Sequence, residues 1–198
     1  MTRLREGGDA GQAFPIYITV VGGLLFLALV YFAVGQAATT RSEAQTAADA
    51  AALAAALETR DQLADQWLEN MLEPDSWQDI FEGKAPVPGA CWRAHELAAR
   101  NDATVDCNPD GLLGYTVVAE TNETVGNTIV PGTEDQKATE SAMAVIEARC
   151  SFELPAEDAG GDVLPRLSCK GEEWDIEPDR LLDLPKPEDL FDVHLADQ

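Results

Sequence analysis

The sequence predicts an α+β protein: a long N-terminal transmembrane helix that extends into a small, disulfide-linked extracellular domain with antiparallel strands. Three observations predict this. No charged residue occurs from Ala10 to Thr40. No proline interrupts the chain between Pro15 and Pro74, a stretch dominated by good helix formers. All four cysteines, Cys91, Cys107, Cys150 and Cys169, follow that stretch, among short β-prone runs and turn residues.

The first element is the membrane span, after a leader at residues 1–12. Its densest apolar part, Ala13 to Val34, would measure about 33 Å as a helix, enough for a hydrocarbon core of about 30 Å. Pro15 falls near the start, where a helix tolerates it. Phe14, Tyr17, Tyr31 and Phe32 lie toward the two ends, as interfacial aromatic residues do. Arg3 and Arg5 precede the span, and the nearest downstream cation, Arg41, lies in an acidic stretch, so the positive-inside bias puts the N-terminus in the cytoplasm. The apolar run exceeds the usual length of a signal-peptide core, which favours an anchor over a cleaved signal ending near Gly35-Gln36-Ala37.

The same helix is expected to continue through residues 35–72 and to stop at Pro74 and Asp75-Ser76. From Ala44 to Ala56 it is small on nearly every face. Alanine here supplies either helix propensity alone or a surface that another helix can approach closely. Leu53, Leu57, Ala64, Trp67, Leu68 and Met71 continue a helical stripe expected to fold against the outer domain.

The tract Ala44-Gln45-Thr46-Ala47-Ala48-Asp49-Ala50-Ala51-Ala52-Leu53-Ala54-Ala55-Ala56, at this distance from a membrane helix and with Gly35 at the membrane exit, resembles the N-terminal region of Tad (Flp) pilus-assembly proteins of the TadE/TadG-like group. The resemblance covers roughly a quarter of the chain. It implies an accessory, pseudopilin-like subunit that contacts other pilus-assembly subunits, with Ala44, Gln45, Ala47, Ala48, Asp49, Ala51, Ala52 and Ala55 as its helix-packing residues. Two departures stand out. Ala33 occupies a position where the family often has Asp. A prepilin-type processing site would place Glu fifth after its glycine, yet the fifth residue is Ile16 counting from Gln12 and Ala13 counting from Asp9. The resemblance therefore implies an uncleaved, anchored protein.

Residues 73–198 form the expected acidic outer domain, with nine basic and twenty-eight acidic side chains out of a net charge of −23 for the chain. Such a surface repels phosphate backbones, so nucleic acid is excluded as a partner and membrane lipid is expected to meet only the helix. Residues 73–90, rich in proline and glycine, read as a linker. Residues 91–100 read as a short amphipathic helix, 104–107 and 115–118 as strands, and Asn108-Pro109-Asp110-Gly111 as the turn between them. Residues 137–149 could be helix or strand, and the resemblance favours a strand. Residues 153–165 read as a loop, 167–169 and 174–176 as a hairpin about Lys170-Gly171, and 190–195 as a final edge strand. Trp77, Trp92, Tyr115, Phe152, Trp174 and Phe191 are the expected core aromatics.

Four cysteines in an exported domain read as two disulfides with three possible pairings. Cys91–Cys107 and Cys150–Cys169 are favoured because each closes a short loop around one helix–strand or strand–strand unit. A zinc site on Cys91, His95 and Cys107 lacks any C-x-x-C pair. Asp106-x-Asn108-x-Asp110-Gly111 opens like a calcium loop, but Val117 stands where the bidentate Glu belongs. Neither metal nor cofactor is therefore expected. No G-x-S-x-G, phosphate loop or complete H-E-x-x-H occurs, since Ala99 replaces the second His after His95-Glu96, so the protein is expected not to be an enzyme. The competing reading is an anchored extracellular binding module whose acidic face captures cations or a basic partner.

Overall fold

The computed structural model describes residues 13–124, 135–154, 164–180 and 183–196. The leader, most of the 153–165 loop and the Phe14 side chain fall outside them. A single helix, α1, runs without a break from Ala13 to Glu69. At 1.5 Å per residue it is about 85 Å long. Among the described residues, none of the side chains along residues 15–34 is buried, and α1 is one helix long and apolar enough to cross a membrane. From Ala44 onward it enters the domain and becomes its central rod.

After a 3₁₀ turn at Pro74–Ser76 come α2 (Trp77–Phe81), α3 (Cys91–Arg100), β1 (Ala103–Pro109), β2 (Gly114–Thr121), β3 (Thr139–Ala148) and β4 (Cys150–Phe152). Then follow β5 (Leu167–Cys169), β6 (Glu172–Trp174), α4 (Pro187–Leu190) and β7 (Phe191–Leu195). The main sheet has the order β1-β2-β3-β7, antiparallel throughout, and β4-β5-β6 form a small second sheet. The period of two in β2 and β3 explains why one face is covered: Tyr115, Val117 and Ala119, with Ala142, Ala144 and Ile146, all point at α1. Residues 139–148 are therefore a strand, and 191–195 form the sheet's edge as the alternation predicts.

Both favoured disulfides form. Cys91–Cys107 joins the start of α3 to β1, and Cys150–Cys169 links directly opposed residues of β4 and β5. Lys170 and Gly171 both have positive φ, 47° and 94°, which is what a two-residue hairpin with native strand twist requires. This hairpin is tighter than expected, with β6 starting at Glu172.

Several expectations are corrected. Helix α1 ends at Glu69, three residues early, because the Asn70 carbonyl accepts a hydrogen bond from the Trp77 indole at 3.1 Å and the chain folds back there. The supposed linker holds α2, whose Trp77, Ile80 and Phe81 are buried. The β1–β2 reversal lies at residues 110–113 rather than 108–111, since β1 continues through Pro109, a residue an edge strand tolerates, and the Asp110 amide donates to the Gly114 carbonyl at 2.8 Å. Trp92 is 53% exposed, because α3 turns Ala94 and Ala98 inward and Trp92 lies half a turn away. Leu57 and Leu68 also face outward. The buried stripe is Ala48, Ala52, Ala55, Thr59, Leu63, Trp67 and Met71, a 3.6-residue repeat that leaves both leucines on other faces.

Candidate helix-packing site

The alanine tract forms one wall of the domain's own core. Ala44, Ala47, Ala48, Ala51, Ala52, Ala55 and Ala56 have no exposed surface. The surfaces that meet them are equally small: Ala119, Ala142 and Ala144 on the sheet, and Ala94 and Ala98 on α3. Methyl-sized side chains on both sides let helix and sheet approach closely without a void, which dense interior packing requires. Gly114, on the other face of β2, is required by the reversal instead, since a Cβ there would stand 2.7 Å from the Asp110 carbonyl oxygen.

Farther along α1 the core changes character. Leu63 and Trp67, with Met71 just past the helix end, replace alanine, and a chain of rings spans the space that opens. Trp67 lies 5.5 Å from Trp77, Trp77 5.3 Å from Phe152, Phe152 6.0 Å from Phe81, and Phe81 5.5 Å from Phe191. Tilted and edge-on rings at these separations are favourable pair geometries. They bind α2, β4 and β7 to the end of α1. The core is thus wedge-shaped, thin beside the alanine tract and thick beside the aromatic cluster. At the thin end, Arg41 pairs with Glu140 at 2.5 Å and the Gln45 amide donates to Asp49 at 2.8 Å, with the Ser141 carbonyl 3.5 Å away. Gln45 and Asp49, half-buried at the margin of the tract, therefore tie α1 to itself and to the start of β3.

The metal alternatives fare poorly on geometry. The Cys91 and Cys107 sulfurs are bonded to each other, which removes them as zinc ligands, and His95 is exposed on α3. Asn108 donates to the Asp106 carboxylate at 3.2 Å, and Asp110 sits in the reversal after β1. Among the described residues no three His, Cys, Asp or Glu side chains are grouped to hold a metal. In two exposed clusters away from the tract, neighbouring groups shift titration. Lys84, with help from Gln78, holds the Glu82 carboxyl below its ordinary range, and Glu82 in turn raises Lys84. Asp175, then Glu173, raise the Arg166 guanidinium.

Residues 11–58 match the model of the Tad family, described as "Putative Flp pilus-assembly TadE/G-like". The matched segment is similar to that TadE/G-like family. It comprises the apolar first part of α1 and the alanine tract, and ends one residue before Thr59, where the core begins to thicken. No curated protein and no solved structure matches the chain. The TadE/G-like segment thus joins two functions within one helix: its first half is the candidate membrane span, and its second half is the wall against which the sheet and α3 pack.

Sequence reasoning identified the tract but not its occupant. Alanine on a helix does not distinguish a foreign helix from the chain's own sheet. The distinguishing signal was the complementary run of small residues at alternate positions of β2 and β3, Ala119, Ala142 and Ala144. Of the aromatic cluster, Trp67, Trp77, Phe152 and Phe191 were expected inside, but α2 with Ile80 and Phe81 was not, because the surrounding prolines masked the i, i+3, i+4 pattern of Trp77, Ile80 and Phe81.

Proposed function

We propose that the protein is a membrane-anchored, non-enzymatic accessory component of a Tad/Flp-type pilus or secretion apparatus. It is held by one transmembrane pass with its N-terminus in the cytoplasm, and it acts through protein–protein contacts made by a rigid outer domain. The observation that carries this reading is the TadE/G-like segment itself, seated on a helix that is apolar and, among the described residues, unburied for about twenty residues before it enters the domain. A helix continuous from span to core transmits orientation: the domain cannot swivel on its anchor as it would on a flexible linker. The absence of an acidic residue at Ile16 and Ala13 favours an uncleaved, anchored form over a polymerised one.

The test is biochemical. Tagged full-length protein is purified from membranes after mild solubilisation, and intact cells are treated with protease. The reading expects the chain to resist alkaline extraction, the outer domain to be cut or shaved only from outside, and pilus-assembly proteins to co-purify. Recovery of the chain without any pilus-assembly protein, together with normal pilus assembly in cells that lack it, would contradict the assembly role. It would leave the anchored binding module as the better description.

A further inference from the structure

Where β2 ends, the chain carries the sole N-x-[ST] tripeptide of the sequence, Asn122-Glu123-Thr124, with no proline in the middle position. The tripeptide alone is a frequent pattern, and its setting gives it meaning. Asn122 and Glu123 form a bend directly after Thr121, the last residue of β2, and Asn122, Glu123 and Thr124 are all exposed. The bend is pinned by its neighbour: the Thr121 hydroxyl donates to the Glu123 carbonyl at 2.8 Å and accepts from the Ala138 amide at 3.2 Å. The Asn122 backbone amide donates to the Asp102 carbonyl at 2.8 Å. Its side chain is left over. Asn70, Asn101 and Asn108 each donate their carboxamide nitrogen, to Gln66, Leu97 and Asp106. Among the described residues, Asn122 is the asparagine whose Nδ2 has no such acceptor.

We propose that Asn122 is an N-glycosylation site, modified by a membrane-bound transferase that draws on a polyprenyl-diphosphate-linked oligosaccharide. In that transfer Nδ2 attacks the anomeric carbon of the first sugar. The Nδ2–C1 bond forms, the C1–O bond to the diphosphate breaks, and the electron pair leaves with the polyprenyl diphosphate. Nδ2 gives up one proton to a base of the transferase. Thr124, two residues on, supplies the hydroxyl by which the acceptor is recognised.

Position argues for the same donor, and here the proposal rests on the reading that α1 anchors the chain with its domain outside. Thr121 and Glu123 line one hollow of about 330 Å³ together with Glu43 of α1. Glu43 follows the last residue of the apolar run, Val34, by about 14 Å of helix. The acceptor therefore lies at the end of the domain nearest the bilayer, where a sugar donor carried on a lipid is held. A glycan there costs the fold little, since it replaces water around an exposed side chain that bonds to no described residue.

Mass spectrometry of the full-length protein from native membranes tests the proposal. After reduction, tryptic cleavage at Arg100 and Lys137 isolates residues 101–137, which hold Asn122. An added sugar mass is expected on this peptide, placed on residue 122 by fragmentation that spares the glycan. Asn122→Gln and Thr124→Ala should each abolish it, whereas Thr124→Ser and Asn127→Gln should keep it. A bare Asn122 in the native chain, or a sugar that survives Asn122→Gln or Thr124→Ala, would overturn the proposal. Alkaline extraction and external protease separate the two readings. A chain that stays in the membrane and is cut from outside, yet carries a bare Asn122, overturns the glycan and leaves the anchor standing. A glycan on Asn122 of a chain that alkaline extraction releases supports the modification and overturns the anchor.

Discussion

The hydroxyls of Thr59 and Tyr115 meet at 2.8 Å inside the contact between α1 and β2. Both residues are buried, 2% and 6% exposed, at the point where alanine packing gives way to large side chains. The bond satisfies two polar groups that water cannot reach, and it fixes the height of α1 against the sheet.

The two hydroxyls should therefore be energetically coupled. Thr59→Ala strands the Tyr115 hydroxyl and should cost about 1–3 kcal/mol. Tyr115→Phe should cost less, about 1 kcal/mol, because the threonine hydroxyl can turn to a carbonyl of its own helix. The double variant Thr59→Val with Tyr115→Phe should lie closer to wild type than the sum of the singles. Urea denaturation of the four proteins measures the coupling.

The alanine tract should behave as core. Ala52→Leu forces added volume between α1 and the sheet and should destabilise the domain by about 1–3 kcal/mol. Leu57→Ala, on the opposite face, should cost under about 1 kcal/mol, as exposed substitutions usually do. Thermal melts of the two variants decide which face of the helix the fold depends on.

Much of this architecture was legible in the sequence, and the exceptions share a cause. The apolar length sufficient for a span, the continuous helix, the Lys170-Gly171 reversal and both disulfides follow from local chemistry: apolar length, absence of proline, turn residues and loop closure. What sequence did not reveal was which surface meets which. Trp92 is among the expected core aromatics, yet Ala94 and Ala98 hold the inward face of its helix. Leu57 and Leu68 fitted a helical stripe, but alanine and Thr59 define the face that the sheet covers. Where small residues make the core, hydrophobicity points the wrong way, because the large apolar side chains are the ones left outside.

The two disulfides should contribute comparably. They span 16 and 19 residues, and in the chain-entropy picture each is worth about 3 kcal/mol. Paired Cys→Ser replacement at 91 and 107, or at 150 and 169, should lower stability by similar amounts, with reduction of the wild-type protein lowering it further. Thermal melts with and without reductant report both effects.

Acid titration of Glu82 should show its pairing. Because Lys84 and Gln78 favour the ionised form, its midpoint should fall below that of an ordinary glutamate. Its contribution to stability is present above the ordinary glutamate range and is lost as pH falls through the depressed folded value. Lys84→Met should move the midpoint back up. Carboxyl chemical shifts followed by NMR measure both positions.

The decisive quantity is amide hydrogen exchange along residues 44–56 in the full-length protein in a bilayer. If this stretch is the wall of the domain core, its amides should exchange only with global unfolding, at the same protection as β2 and β3. Exchange much faster than in those strands, as in a solvated helix that only links span to domain, would contradict the account.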